Sequence, residues 1–346
     1  MKKLTREDYR EIKLWMYRNA RQIELALWQY YFENESKEAV LAALSFYQND
    51  DGGFGHALEA DNWNPSSSPY TTLTAINILK GIDFIDKRHP MIQGIFKYLA
   101  SGADCSENGW HFNIPSNNDY AHAPWWTYDK EANAVEGIGV TAEISGFLLR
   151  YADRDSEIYE KALAFSDIII NKLSTSGYYG DMGIGGYCSL FDSIVKADLT
   201  GRFDSNFLKD RLMKLVYDSI ERDTSKWIHY SVRPSNYIDS PDSIFYKDNA
   251  DIVSNELDYI VETRPKNGVW DITWSWFENN EKYPKEFAIS ENWWKVSKAI
   301  HKLNLLRNFK QGGSTGDTRE VRSIFKLMKF NKVFMADYLS KRKELF

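Results

Sequence analysis

The stretch Tyr47 to Leu79, YQNDDGGFGHALEADNWNPSSSPYTTLTAINIL, sets the reading of the whole chain. Upstream, Val40, Ala43, Leu44 and Tyr47 keep helical spacing between Glu38 and Gln48. The run NDDGG then stops that helix, because glycine accepts the left-handed conformation in which helices end. After a polar loop, Ala75, Ile78, Leu79 and Ile82 restore helical periodicity from Thr71 to Ile82. The local unit is therefore helix, glycine-aromatic turn, loop, helix.

The same unit recurs. MIQGIFKYLASGADCSENGWHF leads into GIGVTAEISGFLLRYA, and YEKALAFSDIIINKLSTSGYYGD leads into GGYCSLFDSIVKA. FLKDRLMKLVYDSIERDTSKWIHY leads into NADIVSNELDYIV, and ELDYIVETRPKNGVWDITW leads into ENWWKVSKAIHKLNLL. Phe54, Trp110, Tyr178, Trp227 and Trp270 mark the exits of the first helices, where an aromatic ring is expected to plug the seam between neighbouring hairpins. Helical hairpins repeated at an irregular period form arrays that bury their apolar stripes against one another. The expected fold is all-α, and loops of very unequal length suit an array closed on itself with insertions on one face.

FYQNDDGGFG, ENGWHF and KNGVWDITW resemble the Gln-x-x-Asp-Gly-Gly-Phe and QW-type repeats of the terpenoid cyclase and protein prenyltransferase superfamily. The likeness runs from about Glu38 to Leu306. It implies an α/α toroid, with the helix before each glycine-aromatic turn in an outer ring and the helix after the loop in an inner ring. It also implies an isoprenoid or other apolar ligand in an aromatic-lined central cavity.

The amino-terminal segment Thr5 to Phe32 reads as one long amphipathic helix, with Thr5 and Asp8 spaced as a capping box. Residues 1–309 are expected to form the toroid domain. After the hinge KQGGSTGD, residues 317–346 hold eight Lys and Arg against four Asp and Glu and read as a basic amphipathic helical tail. Packing on the acidic body is the first reading of that tail, and weak contact with a membrane surface the second.

Composition narrows the function. Twelve Trp and twenty-one Tyr among 346 residues supply either helix seams or a ring-lined pocket. The formal charge of −6 argues against a nucleic-acid binder, which needs a basic face. No run approaches the ~20 apolar residues of a membrane span. Two cysteines and no secretory leader point to a soluble cytoplasmic protein.

Chemistry is sparser. No Asp-x-Asp-Asp acid motif or Asp-Asp-x-x-Asp metal-diphosphate motif occurs, and ALEADNW, with Glu59 and Asp61, is the nearest acidic loop. GIGGYCSLFDSI resembles the surroundings of the zinc-binding Cys in prenyltransferase β subunits, but Gly186 stands where that family has Asp. Cys188 then reads as a small buried hydrophobe, and no metal or other cofactor is expected.

A constellation remains. The long loop HFNIPSNNDYAHAPWWTYDKEANAVEGIG supplies Asp119, Tyr120, His122, Trp125 and Trp126, beside a first loop carrying His56, Glu59, Asp61 and Trp63. Inner-helix starts add Glu143 and Tyr187, and the fifth unit adds Trp274, Trp276 and Trp293. Glu59, Asp61, Asp119 and Glu143 are the candidate acids and bases, and the others candidate ligand contacts. Each also has a plain structural reading, as a turn residue or a seam filler. Three functions stay open: an enzyme or binder of an isoprenoid or other apolar molecule, a carbohydrate hydrolase or lyase with paired carboxylates and Trp platforms, and a non-catalytic binding or scaffold toroid.

Overall fold

The described residues are all-α apart from one short hairpin, because glycine-aromatic turns and capped loops cut an apolar-periodic sequence into twelve α-helices among them. A computed structural model describes residues 2–309, so the expected tail at 310–346 lies outside the described residues. The described residues fall into two compact units, 47–219 and the pair 2–46 with 220–309.

In the unit 47–219 the helices are α4 (Pro69–Gly81), α5 (Pro90–Ser101), α6 (Lys130–Tyr151), α7 (Glu157–Thr175), α8 (Gly183–Lys196) and α9 (Ser205–Ser219). Ser68 starts α4 by accepting the Thr71 N–H at 3.1 Å, with Pro69 in the first turn, where its missing N–H costs nothing. Every residue of α4 except Lys80 is buried, and α6 is buried without interruption from Glu136 to Leu149. A helix covered on all sides belongs to an inner layer, whereas a single apolar stripe marks an outer one. α5 and α7 have such stripes, through Ile92, Ile95 and Leu99 and through Ala162, Phe165 and Ile169. α6 packs between α4 and α8 and also against α7, while α5 packs on α4 and α7. Glycine permits the tightest of these approaches: a Cβ on Gly186 would lie 2.6 Å from the carbonyl oxygen of Gly139.

The opening motif has a physical explanation here. Gly52 has φ +95°, and a Cβ there would sit 2.1 Å from the carbonyl oxygen of Gly94 in α5. The side-chain amide of Gln48 donates to the carbonyls of Gly52 (2.9 Å) and Met91 (3.0 Å), fastening the turn to the first turn of α5. Asp51 accepts from Gly53 N (2.8 Å) and from the hydroxyl of Ser67 (2.7 Å). Asp51 is a turn residue.

Four of the five landmark aromatics are buried: Phe54, Trp110, Trp227 and Trp270. Trp110 closes the β1 (Cys105–Ser106) and β2 (Gly109–Trp110) hairpin and meets Phe165 of α7 edge-on at 4.9 Å. Tyr178 departs from the pattern, being 56% exposed. Its neighbour Tyr179 is buried instead, its hydroxyl donating to Leu173 O at 3.0 Å, so the plug of the third repeat is one residue later than its spacing suggests.

The other unit contains α1 (Arg6–Asn19), α2 (Gln22–Phe32), α3 (Lys37–Ser45), α10 (Ala250–Glu262), α11 (Asn279–Lys282) and α12 (Pro284–Asn308). The Thr5–Asp8 capping box is present. The single helix expected over Thr5 to Phe32 is corrected to two, because Ala20 and Arg21 are extended. Arg21 is held there by Glu24, to which its Nε donates at 2.9 and 3.0 Å, and lies over the ring of Trp293 at 4.3 Å. The break lets each half turn its own stripe inward, Ile12 and Met16 from α1, and Ile23, Ala26 and Leu27 from α2. Beyond α10, the buried guanidinium of Arg264 pairs with Asp8 and Glu11 of α1. The fourth and fifth repeats share a helix: α10 ends one and begins the other.

Candidate functional site

The loops 47–68 and 109–129 do come together. Trp63 N donates to Ala121 O and Ala123 N to Asp61 O, both at 2.9 Å, on either side of a bridge between Asn62 and His122. Asn117 is the hub. Its Oδ1 accepts from the side-chain amides of Asn62 (3.1 Å) and Asn64 (2.9 Å), while its own amide donates to Trp126 O (3.0 Å). Asn64 also donates to the hydroxyl of Ser116 at 2.8 Å. Asn117→Ala would leave these buried polar groups without partners, at roughly 1–3 kcal/mol for each group left unpaired. It is expected to lower the melting temperature and to expose the amides of residues 61–64 and 121–126 to rapid hydrogen exchange. Unchanged exchange there would show that the bridge alone holds the loops.

Glu59 and Asp61 sit in the turn on one side of this junction, at 2% and 0% exposure. Asp61 N donates to Glu59 Oε2 at 2.7 Å, and Asn62 N donates to Glu59 O. Across the bridge, Nδ1 of His122 lies 2.7 Å from Tyr120 O, and Nε2 lies 3.1 Å from the hydroxyl of Thr127. A carbonyl oxygen only accepts, so Nδ1 carries a proton and donates to Tyr120 O. Trp126 stacks on Phe112 (4.7 Å, 17° between planes) and meets Tyr70 of α4 edge-on (4.5 Å), and Trp125 is buried beside it. The indole N–H of Trp126 is buried with no hydrogen-bond partner among the described residues.

The remaining candidates are distributed differently. Asp119 and His56 are exposed, and His56 Nε2 contacts Asn49 Oδ1 at 2.7 Å in a residue with φ +57°. Tyr120 is partly exposed and Trp63 half-buried. Glu143 is buried on α6, accepting from the Asn77 amide of α4 at 3.2 Å. The Tyr187 hydroxyl donates to Ile169 O at 2.6 Å, which makes it a tie between α8 and α7. Trp274, Trp276 and Trp293 belong to the other unit. There Trp276 is fully buried, Trp274 meets Trp294 edge-on at 5.3 Å, and Trp293 lies beneath Arg21.

Two acids outside the predicted set stand out. Burial pushes the carboxyl of Glu136 up, against the bonds it accepts from Asp181 N (2.9 Å) and the Tyr178 hydroxyl. Burial likewise raises Asp104, opposed by the charge of His111 and by a hydrogen bond from Tyr98. Glu136 lies in an acidic, alanine-rich helix start that reads as solvated, and only its one-residue offset into the buried run of α6 gives it away. Cys188 is a buried free thiol and Cys105 a half-buried one. Among the described residues no group of three or more His, Cys, Asp or Glu is placed to hold a metal ion, and no helix is long and apolar enough to cross a membrane.

No family model matches the chain, and no curated protein or solved structure matches it.

Proposed function

We propose that the chain is an α/α toroid of the terpenoid cyclase and prenyltransferase kind, that it takes an isoprenoid or similar apolar molecule, and that Glu59 and Asp61 supply the acid. The observation that carries this reading is the junction itself. Two carboxylates shielded from water stand in a turn hydrogen-bonded to the segment bearing Trp125 and Trp126. Shielding matters because a proton delivered to an alkene leaves a carbocation that water would quench. Aromatic faces steady such a cation by roughly 0.5–2 kcal/mol per ring. The burial of α4 and α6 on all sides, with α5 and α7 packed against them by single stripes, supports the toroid. Glu59-Ala-Asp61 departs from the acid motif of known cyclases, so the reaction differs from theirs in how its acid is held.

A carbohydrate is the second reading, favoured by the exposed Asp119 and Tyr120 on an asparagine-rich loop. One panel separates the two: prenyl diphosphates, squalene-like polyenes and oligosaccharides, scored for binding and turnover. The expected result is binding of the polyene or prenyl group alone. Glu59→Gln and Asp61→Asn are each expected to reduce turnover about 100-fold or more, as loss of a general acid does, with little change in melting temperature. If both variants melt much lower and process the ligand normally, the carboxylates are structural. Failure to bind any isoprenoid sinks the first reading.

A further inference from the structure

Two of the glycine-aromatic turns, ENGW and KNGV, carry an Asn-Gly pair, Asn108–Gly109 and Asn267–Gly268. An asparagine before glycine can lose its side-chain amide by intramolecular attack, because glycine has no Cβ to hinder the approach of its backbone nitrogen. The dipeptide alone ranks the two sites alike. Their surroundings do not.

Gly109 is protected. His111 N donates to Asp104 O at 2.9 Å, and the hairpin pairs Cys105 with Trp110 and Ser106 with Gly109. Bonded and non-bonded pairs alternate along an antiparallel ladder, so Ser106 and Gly109, two positions on from Asp104 and His111, form a bonded pair. The Gly109 nitrogen is thus engaged with Ser106 O. The residue is also buried, and a Cβ on it would lie 2.1 Å from Thr141 Oγ1.

The second pair has neither constraint. Asn267 is exposed, with φ +61°, a left-handed conformation that Asn tolerates better than most residues. Its side-chain amide and the Gly268 N–H make no hydrogen bond among the described residues. A Cβ on Gly268 would meet only Pro265 Cγ, at 3.8 Å, so the ground beside the glycine is open. The same turn is fastened to α1. Asn267 N donates to Glu11 Oε2 at 3.1 Å, and Arg264, which pairs with Asp8 and Glu11, reaches Gly268 O at 3.4 Å.

We propose that Asn267 is a site of spontaneous deamidation and isomerisation, and that the change loosens the hold of the turn 264–268 on α1. The Gly268 nitrogen gives up its proton and attacks Cγ of Asn267. The bond from Cγ to the side-chain nitrogen breaks, and that nitrogen takes up a proton and leaves as ammonia. Water then opens the five-membered imide at either carbonyl, giving aspartate or isoaspartate with no change in redox state. Aspartate sets a new carboxylate on the residue whose backbone already touches Glu11, where one buried guanidinium serves two acids. Isoaspartate routes the main chain through the former side chain, adding one carbon to it and displacing Gly268 O from Arg264.

The test ages the full chain in mildly alkaline buffer and follows both pairs by peptide mass spectrometry, with isoaspartate identified by electron-transfer fragmentation. Asn267 is expected to convert about tenfold or more faster than Asn108, since freeing the Gly109 amide needs a local opening worth at least ~1.4 kcal/mol. In urea, with both turns unfolded, the two rates are expected to converge. Gly268→Ala, which the open ground accommodates, is expected to suppress conversion at Asn267 and leave Asn108 unchanged. Equal rates in the folded chain overturn the proposal, and a gap that persists in urea overturns its structural basis. Asn267→Asp is expected to speed hydrogen exchange in α1 relative to the parent, and unchanged exchange there overturns the loosening.

Discussion

Replacing Trp110 by Ala is expected to destabilise the unit 47–219 by about 3–5 kcal/mol, the usual range for a buried Trp truncated in place. The ring is 1% exposed, meets Phe165 of α7 edge-on, and has the ammonium of Lys161 at 5.8 Å. Its backbone N–H, which donates to the Thr141 hydroxyl of α6 at 3.0 Å, survives the substitution. The loss therefore reports packing between the turn and two helices. Trp110→Phe is the control. The indole N–H makes no hydrogen bond among the described residues, so the smaller ring forfeits volume alone and is expected to cost clearly less. Urea titrations followed by far-ultraviolet circular dichroism measure both. A Trp110→Ala midpoint close to that of the parent would show that the landmark aromatics do not seal the seams.

Gly52→Ala is the second large effect, expected at more than about 2 kcal/mol from backbone strain and broken hydrogen bonds together. The residue has φ +95°, a region that L side chains rarely adopt, and the new methyl would be driven into the Gly94 carbonyl. To relieve that contact the turn must draw away from α5, which takes Gly52 O and Met91 O out of reach of a single Gln48 amide. Gln48→Ala removes the amide without the clash and is expected to cost about 1 kcal/mol. Calorimetric melting of the two variants ranks the effects. If Gln48→Ala proves the more damaging, the hydrogen bonds, rather than the close approach of backbone to backbone, hold this turn in place.

The repeats were legible because each obeys local rules. A 3.6-residue stripe, a glycine able to reverse the chain and an aromatic at the exit announce themselves within about 30 residues, and so the helices and most landmark rings follow from the sequence. Where two aromatics stood side by side, the spacing chose Tyr178 over Tyr179, since only packing decides which ring turns inward. The break at Ala20 and Arg21 was hidden for a related reason. Arg21 is held by Glu24 within the local sequence, but its contact with Trp293, more than 270 residues away, cannot be read there. The meeting of Glu59 and Asp61 with the Trp125–Trp126 segment followed from the order of the repeats. Asn117, which secures that meeting, carries no motif and was missed.

The double membership of α10 bears on how such an array changes length. A hairpin with its own two helices can be excised or duplicated as a cassette, leaving its neighbours to close over the scar. Ala250–Glu262 offers no such cassette: deleting it strips the end from one repeat and the beginning from the next, and copying it alone adds half a module to each. Gain or loss of repeats is therefore confined to the stretch before α9, and grafts cut there must carry everything from α9 through α12 as one piece.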